Sequence, residues 1–142
     1  MSEEFTRFLA VDFGLKRIGL ALCDPLFTFA YPYKTILNGP ELWKELKTIV
    51  DEQAVSKIIL GIPVKESGKP STIIENVMKF KVRLENEFKL EVILRDERYT
   101  SSMAQEIIMQ TVTKKSKRRE KGLVDRSAAA IILQDYLNEK KN

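Results

Sequence analysis

The sequence RFLAVDFGLKRIGLALC, residues 7–23, predicts how the sheet of this protein begins. Arg7 to Phe13 is a short apolar run that ends at Gly14, and Ile18 to Cys23 is a second apolar run after a Gly-Leu-Lys-Arg turn. Two strands joined by so short a turn pair antiparallel. The stretch therefore predicts a β-hairpin that carries one acidic residue, Asp12, close to its turn.

The rest of the 142 residues reads as alternating strands and helices. A third strand is predicted between Tyr31 and Leu37, at an edge, because Pro25 and Pro32 resist a central position. The later elements, in order, are a helix with Leu42, Leu46, Ile49 and Val50 on one face, a strand from Lys57 to Leu60, a helix with Ile73, Val77, Phe80, Leu84 and Phe88 on one face, a strand from Glu91 to Leu94, a helix with Met103, Ile107 and Ile108, and a last helix from about Asp125 to Leu137. This order predicts one α/β domain over residues 1–142. Its mixed five-stranded sheet has later strands joined by right-handed crossovers and is flanked by helices.

The composition excludes several kinds of catalytic site. The chain contains no histidine and a single cysteine, Cys23. A Ser-His-Asp triad, a Cys-His dyad, a histidine-ligated zinc site and a multi-thiolate zinc site are therefore all excluded. Any catalyst must be built from carboxylates, lysine, tyrosine or hydroxyl groups. Cys23 itself ends an apolar strand and is expected to be an inert core residue.

The net charge of +4 is concentrated in one segment. Residues 114–121 hold six cations and one acid, whereas the remainder of the chain holds 18 cations and 19 acids. The cations of this segment are Lys114, Lys115, Lys117, Arg118, Arg119 and Lys121. A basic surplus confined to one segment favours a polyanionic partner such as nucleic acid.

The cysteine content and the N-terminus indicate a cytoplasmic protein without a membrane partner. One cysteine forms no intramolecular disulfide, which is typical of a reducing compartment. The apolar run from Phe8 to Val11 follows an acidic start and is much shorter than a signal-peptide core or a spanning helix.

Three acidic residues are candidates for the chemistry. Asp12 ends an apolar strand, Glu97 follows the last predicted strand, and Asp125 heads the apolar stripe of the final helix. Each also has an ordinary structural explanation. In these explanations, Asp12 would accept hydrogen bonds from its own turn, and Glu97 would form an ion pair with Arg95 or Arg98. Asp125 would cap its helix.

Together, the three acids suggest a metal site at one end of the sheet. Clustered carboxylates repel one another unless cations hold them ionised. In the absence of histidine and paired thiolates, an all-oxygen site suits Mg²⁺ or Mn²⁺. Such a site activates water for an in-line displacement at phosphorus, which needs no imidazole when two ions share the task. With the basic segment, this points to hydrolysis of nucleic-acid phosphodiesters.

The aromatic residues do not indicate a stacking platform for single strands. Tyr31, Tyr33 and Trp43 are not interleaved with basic residues along the sequence.

Four sequence blocks follow one another over nearly the whole chain. They are Val11-Asp12-Phe13-Gly14 with Arg17-Ile18-Gly19-Leu20-Ala21, then Gly61-Ile62-Pro63, then Asp96-Glu97-Arg98-Tyr99-Thr100-Ser101, and finally Val124-Asp125 with Ser127-Ala128-Ala129-Ala130-Ile131-Ile132-Leu133-Gln134. In this order and at this spacing, the blocks resemble the YqgF (RuvX) family of small bacterial ribonuclease-H-like domains.

The resemblance implies a ribonuclease-H-like fold and a nuclease that matures the 5′ end of 16S ribosomal RNA. It matches Asp12, Glu97 and Asp125 to the family's acidic metal-binding positions. Arg17, Arg98 and Lys121 match basic positions in the same blocks and are expected to contact phosphate.

Two alternative functions stay open at this stage. An older family label, Holliday junction resolvase, implies branched DNA in place of precursor ribosomal RNA, and phosphate contacts are shared by both substrates. A non-catalytic nucleic-acid or ribosome-associated module would use the basic segment alone. The sequence places no fourth acid, so the number of metal ions is open, as is the oligomeric state.

Overall fold

A computed structural model of the protein describes residues 5–62, 72–96 and 121–140. Its strands are β1 (Arg7–Asp12), β2 (Arg17–Cys23), β3 (Ala30–Leu37), β4 (Val55–Ile62) and β5 (Glu91–Asp96). Its helices are α1 (Leu42–Glu52), α2 (Thr72–Phe88) and α3 (Lys121–Lys140). The five strands form one mixed sheet in the order β3-β2-β1-β4-β5. The predicted fold class is confirmed.

The hairpin at residues 7–23 forms as expected. β1 and β2 pair antiparallel, with Leu9 opposite Leu22 and Asp12 opposite Gly19. Gly14 permits the turn, because a Cβ at this position would lie 2.3 Å from the carbonyl oxygen of Arg17. β3 continues the meander at the sheet edge, and its pairing with β2 is irregular beside Pro32. The predicted edge position is therefore confirmed.

β4 and β5 extend the sheet on the other side of β1, and both pairings are parallel. Asp12 lies beside Gly61, and Ile62 lies beside Asp96. The carboxyl ends of these three parallel strands thus lie together at one end of the sheet, where ligands of open α/β sheets bind.

Two hydrophobic cores cover the two faces of the sheet. α1 and α2 pack against one face with Leu42, Leu46, Ile49, Val77, Phe80 and Leu84, which meet Leu9, Val11, Ile18, Leu20, Ile58 and Leu60 of the strands. α3 covers the other face with Ala129, Ala130, Ile132, Leu133, Tyr136 and Leu137, which meet Ala10, Ala21, Cys23 and Ile59. Side chains alternate between the two faces along each strand, so odd and even positions of β1 face different helices.

α3 is longer than its sequence pattern predicts. The apolar stripe suggested a helix from about Asp125 to Leu137, whereas the helix runs from Lys121 to Lys140. The predicted helix with Met103, Ile107 and Ile108 lies outside the described residues. Cys23 is fully buried, and this burial raises the pKa of its thiol, as expected for an inert core residue.

Polar contacts fix the position of α3 along the sheet. The Gln134 side chain is buried, accepts a hydrogen bond from the Ala30 amide at 2.8 Å and donates one to the Thr28 carbonyl at 3.1 Å. Arg95 of β5 forms ion pairs with Asp135 at 2.9 Å and Glu139 at 2.7 Å. The helix is therefore held at both the β3 edge and the β5 edge of the sheet.

In the described ranges, no helix has both the length and the apolar character needed to cross a bilayer.

Replacing Arg95 with Met tests the attachment of α3 to β5. The side chains of Arg95 and Asp135 are only 14% and 12% exposed. We expect R95M to lower the free energy of unfolding by about 3 kcal/mol, because the Asp135 carboxylate then loses its cation in a largely buried position. Urea denaturation at neutral pH measures this. K47M, which breaks the exposed Lys47–Asp51 pair, is the control and should cost about 0.3–0.5 kcal/mol.

The same variant has a predictable pH dependence. The hydrogen bond from Arg95 holds the pKa of Glu139 below its ordinary value. The stabilisation from this carboxylate is therefore fully present above its unfolded-state pKa and is lost as the pH falls through its folded-state pKa. The stability difference between wild type and R95M should shrink in acid, and a constant difference would contradict the role of Glu139.

Candidate active site

Asp12 is the last residue of β1 and lies at the edge where β1, β4 and β5 end. It shares its face of the sheet with Phe8 and Ala10, both of which pack in the core under α3. Asp12 is only partly buried. The strand therefore presents its terminal carboxylate on the α3 side of the sheet, at the end where the parallel strands finish.

The residues on either side of Asp12 in the sheet are glycines. Gly19 of β2 and Gly61 of β4 are its register partners. Neighbouring strands lie about 4.7–4.9 Å apart, so side chains at these two positions would crowd the carboxylate from both sides. The two glycines leave the surroundings of Asp12 within the sheet without side chains.

Gly19 also brings Asp125 to the same place. A Cβ at Gly19 would lie 2.1 Å from the carbonyl oxygen of Asp125, so the backbone of α3 lies directly on this strand position. Because Gly19 is opposite Asp12, the helix residue and the strand carboxylate converge on one spot. The register and the contact therefore place the Asp125 backbone at the strand position opposite Asp12.

An ion pair directs the Asp125 carboxylate. Nε of Arg17 donates to Oδ2 of Asp125 at 3.1 Å, and the two side chains are 36% and 26% exposed. Arg17 shares the α3 face of β2 with Gly19, since the two are separated by two positions. The alternative that Asp125 is an N-cap is wrong, because Asp125 is the fifth residue of a helix that begins at Lys121.

The turn after Asp12 is anchored to the end of β3. The Asn38 side chain donates to the carbonyl of Gly14 at 2.9 Å, and its backbone amide donates to the carbonyl of Lys16 at 2.9 Å. These bonds hold the segment between Asp12 and Arg17. The positions of Asp12 and Arg17 relative to each other are therefore fixed.

Asp96, the last residue of β5, lies on the face of the sheet opposite to that of Asp12. β5 continues through Asp96, whose alternation partners Val92 and Leu94 pack in the core under α1 and α2. Arg95 instead contacts α3. The alternation of the strand therefore directs Asp96 away from the α3 face on which Asp12 lies.

Most of the remaining predicted site residues lie outside the described residues. They are Glu97, Arg98, Lys114, Lys115, Lys117, Arg118 and Arg119. Lys121 is the first residue of α3. Within the described part of the chain, no three acidic or sulfur side chains are grouped as a metal site, and only Asp12 and Asp125 of the three candidate acids fall in that part.

Sequence reasoning did not find the contacts that assemble the site. Arg17 was expected to contact phosphate but forms an ion pair with Asp125, and Arg126 donates to the Thr35 hydroxyl at 3.2 Å. The sequence does contain a signal for the contact of this strand with Asp125. A glycine inside a strand often marks a close backbone approach, and Gly19 lies two positions from Arg17.

Solved structures of low sequence identity share this fold. The chain superimposes with a TM-score of 0.62 on the fowlpox virus resolvase in complex with Holliday junction DNA, at 13% identity over 96% of this chain and 100% of that chain. It superimposes with the same TM-score on Thermus thermophilus RuvC in complex with a Holliday junction substrate, at 10% identity over 94% and 96% of the two chains. The fold is therefore ribonuclease-H-like, of the type found in RuvC and related resolvases.

The sequence comparisons identify the family within this class. The model of the family RuvX, described as Holliday junction resolvase, matches residues 6–139. A Sulfurihydrogenibium protein named as a candidate pre-16S rRNA nuclease is 36% identical over 94% of this chain and 90% of its own length. A Koribacter versatilis protein with the same name is 37% identical over 94% and 88%. This chain belongs to the RuvX family.

Replacing Gly19 with Ala tests the contact that brings α3 to Asp12. The added Cβ would overlap the backbone of Asp125 and Arg126, and a backbone has no rotamer through which to escape. We expect G19A to lower the free energy of unfolding by about 1–3 kcal/mol or more. Thermal and urea denaturation measure this. G39A is the matched control, because a Cβ at Gly39 meets nothing within 4 Å. Equal effects of the two substitutions would contradict the close packing at Gly19.

Proposed function

We propose that this protein is a metal-dependent endonuclease that hydrolyses phosphodiester bonds in structured RNA, during maturation of the 5′ end of 16S ribosomal RNA. The observation that carries the proposal is the convergence of Asp12 and Asp125 at the carboxyl end of β1, through the register of Asp12 with Gly19 and the contact of Gly19 with Asp125. Membership of the RuvX family and the names of the relatives support a nuclease.

The donor atoms of the site fit Mg²⁺ or Mn²⁺. The chain has no histidine, and its one cysteine is buried at the opposite end of β2 from Arg17, so carboxylate oxygens are the donors that the site offers. Gly61, the register partner of Asp12 on β4, adds no side chain on that side of the carboxylate. Divalent ions in such sites stabilise the charge that develops at phosphorus and supply the nucleophile from water.

The chain's own residues divide the remaining work. Asp12 and Asp125 would hold the ion, and Glu97, which directly follows β5 in the sequence, would complete the set. Arg17 neutralises Asp125 and holds its carboxylate at the strand end. A guanidinium group carries five N–H donors, so Arg17 binds a phosphate oxygen of the substrate as well. This retains the phosphate contact that the family resemblance implies.

The basic residues outside the described ranges bind the substrate backbone in this proposal. Arg98 and the cations of residues 114–121 neutralise phosphates, which positions the nucleic acid without reading its sequence. The choice of precursor ribosomal RNA as substrate draws on the names of the relatives.

A four-way DNA junction is the second candidate substrate. It is favoured by the description of the family model and by the two solved neighbours that carry Holliday junctions. The same acids would serve both reactions, because the phosphodiester chemistry is shared.

A thermal shift with Mn²⁺ tests the metal site without any substrate. A ligand that binds only the folded state at a hundredfold excess over its Kd stabilises by about 2.7 kcal/mol. For a chain of this size, this corresponds to a rise in Tm of roughly 8 °C. We expect this rise in wild type and a much smaller one in D12N. D51N, which neutralises an exposed acid of α1, is the control and should respond like wild type. Equal shifts in D12N and wild type would remove Asp12 from the site.

Cleavage and binding by D12N test the reaction. We expect D12N to bind precursor 16S ribosomal RNA about as well as wild type and to cleave it at least roughly a thousandfold more slowly, because a lost ligand costs several kcal/mol of transition-state stabilisation. Parallel assays with a four-way DNA junction, with Mg²⁺, Mn²⁺ or chelator, measure the substrate choice, and D51N is again the control.

Two results would overturn the proposal. Binding of precursor RNA by wild type without any cleavage in Mg²⁺ or Mn²⁺ would favour a non-catalytic module. Symmetric cleavage of junctions with no action on RNA would leave the acids in place and replace the substrate.

A further inference from the structure

A groove of about 370 Å³ opens on the α1 and α2 side of the sheet, at the same strand end as the candidate site. It begins at Phe13, the residue that follows Asp12 in the chain. The Cα atoms of consecutive residues are about 3.8 Å apart. Asp12 faces α3, whereas Phe13 packs against the core under α1 and α2. The groove and the Asp12 carboxylate therefore lie at the same strand end, on opposite faces of the sheet.

Aromatic rings form one wall of this groove. The rings of Phe13 and Trp43 both contact Phe80, with centroid distances of 5.0 and 5.1 Å. Phe13 and Trp43 are partly buried, so each retains some exposed ring surface toward the groove that it lines. Ring faces of this kind are the surfaces on which nucleobases stack.

Cations line the same groove from α2. The guanidinium carbon of Arg83 lies 4.2 Å from the centre of the Trp43 ring, and Lys79 lies one helical turn earlier. Arg83 also pairs at 3.4 Å with Glu87, but both side chains are about half exposed and such pairs are weak. Among the described residues that line the groove, the polar ones are two cations and two amides, Asn38 and Asn76, with no acid.

We propose that this groove binds an unpaired nucleotide segment of the substrate that flanks the bond to be cut. This inference rests on the proposed function and adds the class of substrate, nucleic acid with a single-stranded flank. The argument is charge complementarity. Two cations, with no acid among the described lining residues, suit a phosphate backbone, and the adjacent rings suit a base.

The size of the groove favours an unpaired base over a duplex. A volume of about 370 Å³ is at the lower end of the range for small-molecule sites, which suits one or two nucleotides. Bases inside a duplex have both faces covered by their neighbours, so they do not stack on Phe13 or Trp43. Because Phe13 directly follows Asp12, a strand that leaves the groove would pass around the end of β1 to reach the carboxylate.

The fold creates a stacking site that is not apparent along the sequence. Trp43 is not interleaved with basic residues in the chain, and no platform was expected from it. The packing of α1 beside α2 places Arg83 over its ring nevertheless.

Trp43 gives a direct test, because it is the only tryptophan of the chain. A 12-nucleotide oligouridylate is titrated into wild type in the presence of chelator, which prevents cleavage, and Trp43 fluorescence is followed. We expect saturable quenching. A 12-base-pair RNA duplex should bind through its phosphates but quench much less. Fluorescence anisotropy of labelled RNA reports binding independently.

The variant K79Q/R83Q removes the two groove cations. We expect it to bind the oligouridylate about tenfold more weakly. Its slope of log affinity against log salt should flatten by about 1.4, since each phosphate contact on a single strand contributes about 0.7. K44Q/K47Q removes two exposed lysines of α1 that do not line this groove, and it is the matched control. It should retain the quenching and most of the affinity.

Three results would overturn the groove proposal. They are binding of the oligouridylate without quenching of Trp43, equal losses in the two double variants, and equal quenching by the duplex. The outcome is separable from that of the proposed function. Cleavage of RNA without any change in Trp43 fluorescence would overturn the groove proposal alone. Quenching of Trp43 without any cleavage in Mg²⁺ or Mn²⁺ would overturn the catalytic proposal alone.

Discussion

The contact between Gly19 and the backbone of Asp125 is the constraint on which the candidate site depends. A hydrogen is the only substituent that fits at Gly19, because a Cβ there would overlap the helix. Small buried residues in the next turn of α3, Ser127, Ala129 and Ala130, allow the same close approach. Since Gly19 is opposite Asp12, the distance from helix to sheet fixes the separation of the two acids. If α3 lay farther from the sheet, the two acids would separate although the sheet itself would be unchanged.

Other contacts of α3 maintain this position over the length of the helix. Gln134 satisfies backbone groups at the start of β3, and Arg95 binds two acids from the β5 side. These contacts lie nearer the C-terminal end of α3 than Asp125 does, so they orient the helix without entering the site. The ion pair of Arg17 with Asp125 then adjusts one side chain locally. Geometry at the carboxylates therefore comes from the packing of a whole helix.

Sequence periodicity predicts the strands of the sheet, but it does not reveal the contacts that assemble the candidate site. The hairpin at residues 7–23, the edge position of β3 and the parallel strands follow from apolar runs, turns and proline positions, which are local signals. Asp12 and Asp125 were identified because each is a carboxylate at an apolar position. Their actual link through Gly19 joins segments more than 100 residues apart, and single-sequence patterns do not report such contacts. The same limit applies to Arg17 and to the start of α3, which precedes its apolar stripe.

The end of β1 assigns different chemistry to the two faces of the sheet. Alternation places Asp12 on the α3 side and the next residue, Phe13, against the core on the α1 and α2 side. One face then offers carboxylates and Arg17, and the other offers aromatic rings, Lys79 and Arg83. Carboxylates repel a phosphate backbone unless a cation intervenes, whereas the second face attracts it directly. Under the two proposals, a nucleic-acid strand held on the second face would pass around the end of β1 to reach Asp12, so the two consecutive residues Asp12 and Phe13 would serve cleavage and binding respectively.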